Sequence, residues 1–253
     1  MSAMDDDPDE DRDERDDAPE ERERAPTTAP TLANALALGV TLSTAGVIAY
    51  AFNPARAGQG SMLLALGAFY AALSALALFR LHRRGELSRR FRPAYGDITL
   101  GAATAGALYG SARIVGALVA PHGSPREAWI EALYHQLGNL DAPGRTLTGA
   151  AVFAVAALEE IVWRGLVMGS IQDVSGRWRA AVYTTLLYAA AHLPTMFLLR
   201  ALGAGDNPLV VVAALGCGMV WSLMVLRTGR LVPAVVAHAL FSWAIIELPL
   251  WQR

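Results

Sequence analysis

The chain alternates between long apolar runs and short breaks rich in Gly, Pro and Arg. The runs lie at Thr31–Phe52, Met62–Phe79, Asp97–Ala120, Thr146–Ile171, Ala180–Leu199, Pro208–Leu226 and Leu231–Leu250. Each is close to the roughly 20 residues that a helix needs to cross a hydrocarbon core. The pattern predicts an all-α fold, a polytopic membrane bundle of about seven transmembrane helices. Pro54, Gly58, Pro93, Pro121, Gly176, the stretch 203–208 and Gly229 punctuate it, as residues that end helices do.

One connection has a helical pattern of its own. From Ser124 the order Ser-Pro-Arg-Glu predicts a capping side chain, a Pro at the first helical position and Glu127 at the third. Trp129, Ile130, Leu133, Tyr134 and Leu137 then repeat at helical spacing, which predicts a short helix lying on the outer membrane surface. Gly106 with Gly110 and Gly165 with Gly169 stand four residues apart and predict close helix approaches. Arg113 falls near the outer end of its run, where a long side chain reaches the interface.

Charge divides the chain. The formal net charge is -2, yet 13 of the 23 acidic residues lie between Asp5 and Glu23, so the remainder is basic, and every basic residue is Arg. Residues 1–30 have almost no apolar side chain and read as a disordered, solvated acidic tail. The tail lacks the basic start and apolar stretch of a signal peptide, so it is expected to stay on the mature protein. Residues 31–253 then form the membrane domain, with two N-terminal spans in 31–96 and a core in 97–250.

Orientation follows from where Arg collects. Arg80, Arg83, Arg84, Arg89, Arg90 and Arg92 follow the second run, Arg177 and Arg179 the fourth, and Arg227 and Arg230 the sixth. With alternating crossings these connections share one side, which the positive-inside rule makes cytoplasmic, with the N-terminus. The expected setting is a bacterial cytoplasmic membrane, with no nucleic-acid partner. The single Cys217 excludes an intramolecular disulfide and a Cys-cluster metal site.

Candidate chemistry sits inside the apolar runs. Glu159, Glu160 and Arg164 interrupt the fourth, and one charge at the centre of such a helix costs roughly 2.5–3.5 kcal/mol. On a regular helix Glu160 and Arg164 lie within about 40° of each other, while Glu159 points about 100° away from Glu160. The ion pair therefore neutralises Glu160 and leaves Glu159 to face something else. By helical rise Glu159 and His192 both lie roughly 18 Å from the basic side, and His238 and Ser242 at roughly 10 and 16 Å. Taken singly, a His in such a helix bonds a backbone carbonyl and a Ser the carbonyl one turn back. Four polar side chains from three helices, converging beside a buried Glu-Arg pair, predict a site.

Glu159-Glu160-x-x-x-Arg164-Gly165, Tyr188-x-x-x-His192 and Gly229-x-x-x-Pro233-x-x-x-x-His238-x-x-x-Ser242 resemble the CPBP family. Its members are membrane glutamic endopeptidases and include type II CAAX prenyl endopeptidases and bacteriocin-processing or immunity proteins. The resemblance covers about residues 97–250. The family has Phe where this chain has Tyr188, and Asn or Asp where it has Ser242. The resemblance implies that Glu159 and His192 activate a water, while His238 and Ser242 hold the oxyanion. It implies a peptide or lipid-modified protein substrate within the bilayer, and no cofactor. Glu159, His192 and His238 would nominally suit zinc, but no His-Glu-x-x-His pattern is present, and the resemblance favours a metal-free reaction. Two other classes fit buried Glu and His: a catalytically impaired immunity or scaffold protein binding a partner segment, and a transporter or proton relay.

Overall fold

The computed structural model describes residues 29–138 and 144–250. The acidic tail, through residue 28, lies outside the described residues. Among the described residues eleven α-helices follow in chain order: α1 Pro30–Ala51, α2 Gly60–Arg83, α3 Leu87–Phe91, α4 Asp97–Val119, α5 Glu127–Leu137, α6 Arg145–Glu160, α7 Met168–Ser175, α8 Arg177–Ala191, α9 Leu193–Leu198, α10 Leu209–Thr228 and α11 Val232–Glu247. A π-helical segment, Ile161–Val167, joins α6 to α7. Five stretches are long and apolar enough to cross a membrane: α1, α2, α4, α10 and the Arg177–Leu198 pair α8 and α9. The fourth and seventh runs are not among these five: α6, the π segment and α7 form one interrupted helix, and α11 is a shorter apolar helix.

Local chemistry sets the helix ends. Pro30 and Pro233 fall in the first turns of α1 and α11, where a missing N–H costs nothing. α10 stops at Gly229, whose φ of 69° is the left-handed conformation that glycine adopts without strain. Pro194 has no N–H and disfavours helical backbone before it, so the fifth run breaks into α8 and α9 at His192.

The Arg-rich connections gather at one end. Arg230 makes a bidentate pair with buried Asp97 at 2.7 Å for each bond, and the Leu231 N–H donates to the Arg90 carbonyl. Arg84 pairs with Asp173 at 2.8 Å, tying α2 to the end of α7. The Asp97 carboxylate holds Arg230 above the usual guanidinium range.

The opposite end is closed by α5. The Trp129 indole donates to the Gly205 carbonyl, Gln136 to the Ala51 carbonyl, and the Tyr134 hydroxyl to the Ile245 carbonyl. Burial pushes the Tyr134 phenol up to about 12, so it stays a donor. These contacts correct two expectations. Trp129 and Tyr134 are buried in protein rather than set in an interface, because their polar atoms find the backbone carbonyls of Gly205 and of Ile245 on α11. Ser124 does not cap the helix: Glu127 reaches back instead and accepts from the Gly123 N–H at 2.7 Å.

The glycine expectation holds at Gly165, where a Cβ would lie 3.4 Å from Leu231 and 3.7 Å from Leu81, and is corrected at the other three. A Cβ at Gly106, Gly110 or Gly169 would meet open space, whereas one at Gly101 would stand 2.7 Å from Val236 and 2.8 Å from the Pro233 carbonyl. The close approach is thus between α4 and α11. α11 also runs beside α6, where Arg145 pairs with Glu247 at 3.3 Å. That neighbour relation brings His238 to the carboxylates.

Candidate active site

Glu160 and Arg164 are both fully buried, at 0% exposure. Arg164 Nη1 donates to Glu160 Oε1 at 2.9 Å, Nη2 to the Gly218 carbonyl at 2.7 Å, and Nε reaches Ser222 Oγ at 3.4 Å. Ser222 in turn meets Thr185 Oγ1 at 3.1 Å. A guanidinium buried this far needs each of these acceptors. Gly218 leaves the room: a Cβ there would lie 3.2 Å from Arg164 Nη2 and 3.1 Å from the Tyr188 ring.

His238 does not turn to Glu159, as the depth argument expected. Its Nδ1 lies 2.8 Å from Glu160 Oε1, the oxygen that also accepts from Arg164. A carboxylate oxygen already paired with a guanidinium is an acceptor, so Nδ1 carries the hydrogen. The imidazole stacks on Trp221, with ring centroids 3.7 Å apart and planes 21° from parallel. Its remaining nitrogen, Nε2, is the atom left for another partner. The depth argument failed because α11 packs against the Glu160 face of α6.

Glu159 is only half-buried, and its Oε2 accepts from the Tyr188 hydroxyl at 2.9 Å. Tyr188 also packs edge-on against His192, with centroids 4.6 Å apart, so one ring spans the carboxylate and the first imidazole. At the break between α8 and α9 the His192 N–H goes to the Ala189 carbonyl. His192 Nδ1 instead meets the Tyr188 carbonyl, at 2.8 Å. A carbonyl only accepts, so Nδ1 is the donor and the neutral ring presents Nε2 as a lone pair. Ser242 lies about one turn beyond His238 on α11 and is partly exposed.

The carboxylates stand at the mouth of the π segment. Such segments insert a residue into the helical register and are frequent at functional sites. Ser74 on α2 donates to the Leu158 carbonyl there, at 3.1 Å. Among the described residues, no group of three or more His, Cys, Asp or Glu side chains is arranged to hold a metal ion.

Sequence reasoning missed the supporting residues Thr185, Gly218, Trp221 and Ser222. A signal existed in α10, where Gly218, Trp221 and Ser222 stand three and four residues apart on one face of an apolar helix.

An all-helical protein with several membrane-length helices, enclosing two carboxylates, a guanidinium and two imidazoles, is an integral membrane protein with a buried ionisable site. Residues 144–244 match a family model described as type II CAAX prenyl endopeptidase Rce1-like. The similarity is to a family of CAAX-type endopeptidases and is confined to this part of the chain. The match runs from the start of α6 into α11 and takes in Glu159, Glu160, Arg164, His192, His238 and Ser242. No curated protein and no solved structure matches the chain significantly.

Proposed function

We propose that the chain is an endopeptidase that uses Glu159 as general base on a water held also by His192 Nε2. The observation that carries the reading is the sorting of two adjacent carboxylates. Glu160 is fully buried between Arg164 and His238, while half-buried Glu159 accepts from a phenol on Oε2. Glu159 takes a proton from the water as the water oxygen bonds to the scissile carbonyl carbon, and the carbonyl electrons move onto its oxygen. That oxygen faces Ser242 Oγ and His238 Nε2, which donates when the ring is doubly protonated. Collapse breaks the carbon–nitrogen bond, and the proton on Glu159 passes to the leaving amine. No metal takes part.

The substrate is a prenylated peptide or lipid-anchored protein tail, as the family implies, presented from the cytoplasmic side. The proposed topology has seven crossings, adding α6 with the π segment and α7, and α11, to the five long stretches. It puts the Arg-rich end and the N-terminus in the cytoplasm. The test is release of the C-terminal tripeptide from a farnesylated CAAX-type peptide by protein purified into liposomes. Cleavage that persists in o-phenanthroline and EDTA supports the reading, and loss of cleavage on chelation, restored by zinc, overturns the metal-free mechanism.

A further inference from the structure

The hydroxyl of Tyr188 donates to Glu159, and its ring is held from several sides. Trp163 packs edge-on at 5.3 Å, Arg164 lies over the face at 4.9 Å, and Gly218 leaves just enough room for the ring edge. The phenol oxygen therefore has little freedom. Phenylalanine would keep every ring contact and lose only this oxygen.

We propose that Tyr188 is a positioning residue for the general base: its O–H fixes the rotamer of Glu159 and stabilises the ionised carboxylate over the protonated one. The inference rests on the reading of Glu159 as base. The ionisable groups gathered about Glu159 are Glu160 and Arg164 on its own helix, Tyr188 and His192 at the end of α8, His238 on α11 and Tyr70 on α2. Tyr70 is occupied by the Trp163 indole at 3.5 Å, and His238 by Glu160. Within this set Tyr188 donates directly to the base. A hydrogen bond to an ionised group is worth enough to shift a titration by about one pH unit. A donor to the charged form favours that form, so its removal lets the carboxylate take up a proton at higher pH.

The experiment compares wild type, Tyr188→Phe and Glu159→Gln in liposomes. Two readouts are taken: the pH profile of kcat/KM on the farnesylated peptide, and an infrared titration of the carboxyl band that disappears in Glu159→Gln. Tyr188→Phe is expected to move the acid limb and the band upward together by about one pH unit, with KM little changed and thermal unfolding as in wild type. Superimposable limbs and bands in wild type and Tyr188→Phe overturn the inference while leaving Glu159 as base. Wild-type rates in Glu159→Gln overturn the reading beneath it; the infrared band, which needs no turnover, then still decides whether Tyr188 acts on Glu159.

Discussion

At Glu160 a carboxylate oxygen lies between a guanidinium and an imidazole with no surface exposed to solvent, so its charge is held in place rather than offered to a substrate. Ser242 is the opposite case, a short hydroxyl at a partly exposed position of α11. An asparagine amide reaches further and cannot fold back on a helix carbonyl as readily as a hydroxyl does. Ser242→Asn is therefore expected to raise kcat on the farnesylated peptide, within the roughly 10²-fold that one oxyanion donor is worth; an unchanged or lower kcat would remove Ser242 from the oxyanion site. The Glu160–Arg164 contact was legible in the sequence because their four-residue spacing alone brings them to one face. The partner of His238 was not, because depth along a helix says nothing of which neighbour its face meets. The role of Tyr188 was not legible either: a hydroxyl has no spacing signal.

Among the elements, α4 and α11 are separated by less than a methyl group at Gly101, while Gly106 on the same helix faces open space. Gly101→Ala is expected to lower stability by about 1–3 kcal/mol, since Val236 and a backbone carbonyl would have to move. Gly106→Ala is expected to raise it by up to about 1 kcal/mol, through helix propensity. Unfolding of both variants in one detergent checks the pair, and equal shifts would contradict the packing. The apolar runs located these helices because membrane length leaves a plain mark in composition. Two features are not read from the apolar runs. The break at His192 depends on Pro194 acting two residues downstream, and the π segment follows an unremarkable α-helical sequence. Both matter to the site, since the break directs His192 Nδ1 to a carbonyl and the π segment begins next to the carboxylates.

For the whole molecule, the three Arg-rich connections tie to one another at one end, and α5 ties neighbouring elements at the other. Arginine counts made this division legible, although not the burial of α5 aromatics, which depends on carbonyls of Gly205 and Ile245, far away in the chain. The topology is checked with a Cys217→Ser background carrying a single cysteine at Arg92 or at exposed His122. An impermeant maleimide applied to whole cells is expected to label the cysteine at 122 and to spare that at 92; the reverse pattern would invert the protein. The account as a whole rests on two neighbouring acids having separate tasks, and the most direct measurement sets Glu159→Gln beside Glu160→Gln, reading both cleavage and unfolding. Glu159→Gln is predicted to lose at least about 10²-fold in kcat/KM with stability unchanged, and Glu160→Gln to lose about 3–5 kcal/mol of stability by stranding the Arg164 charge. Wild-type cleavage by Glu159→Gln, or an unaltered unfolding midpoint in Glu160→Gln, would contradict it.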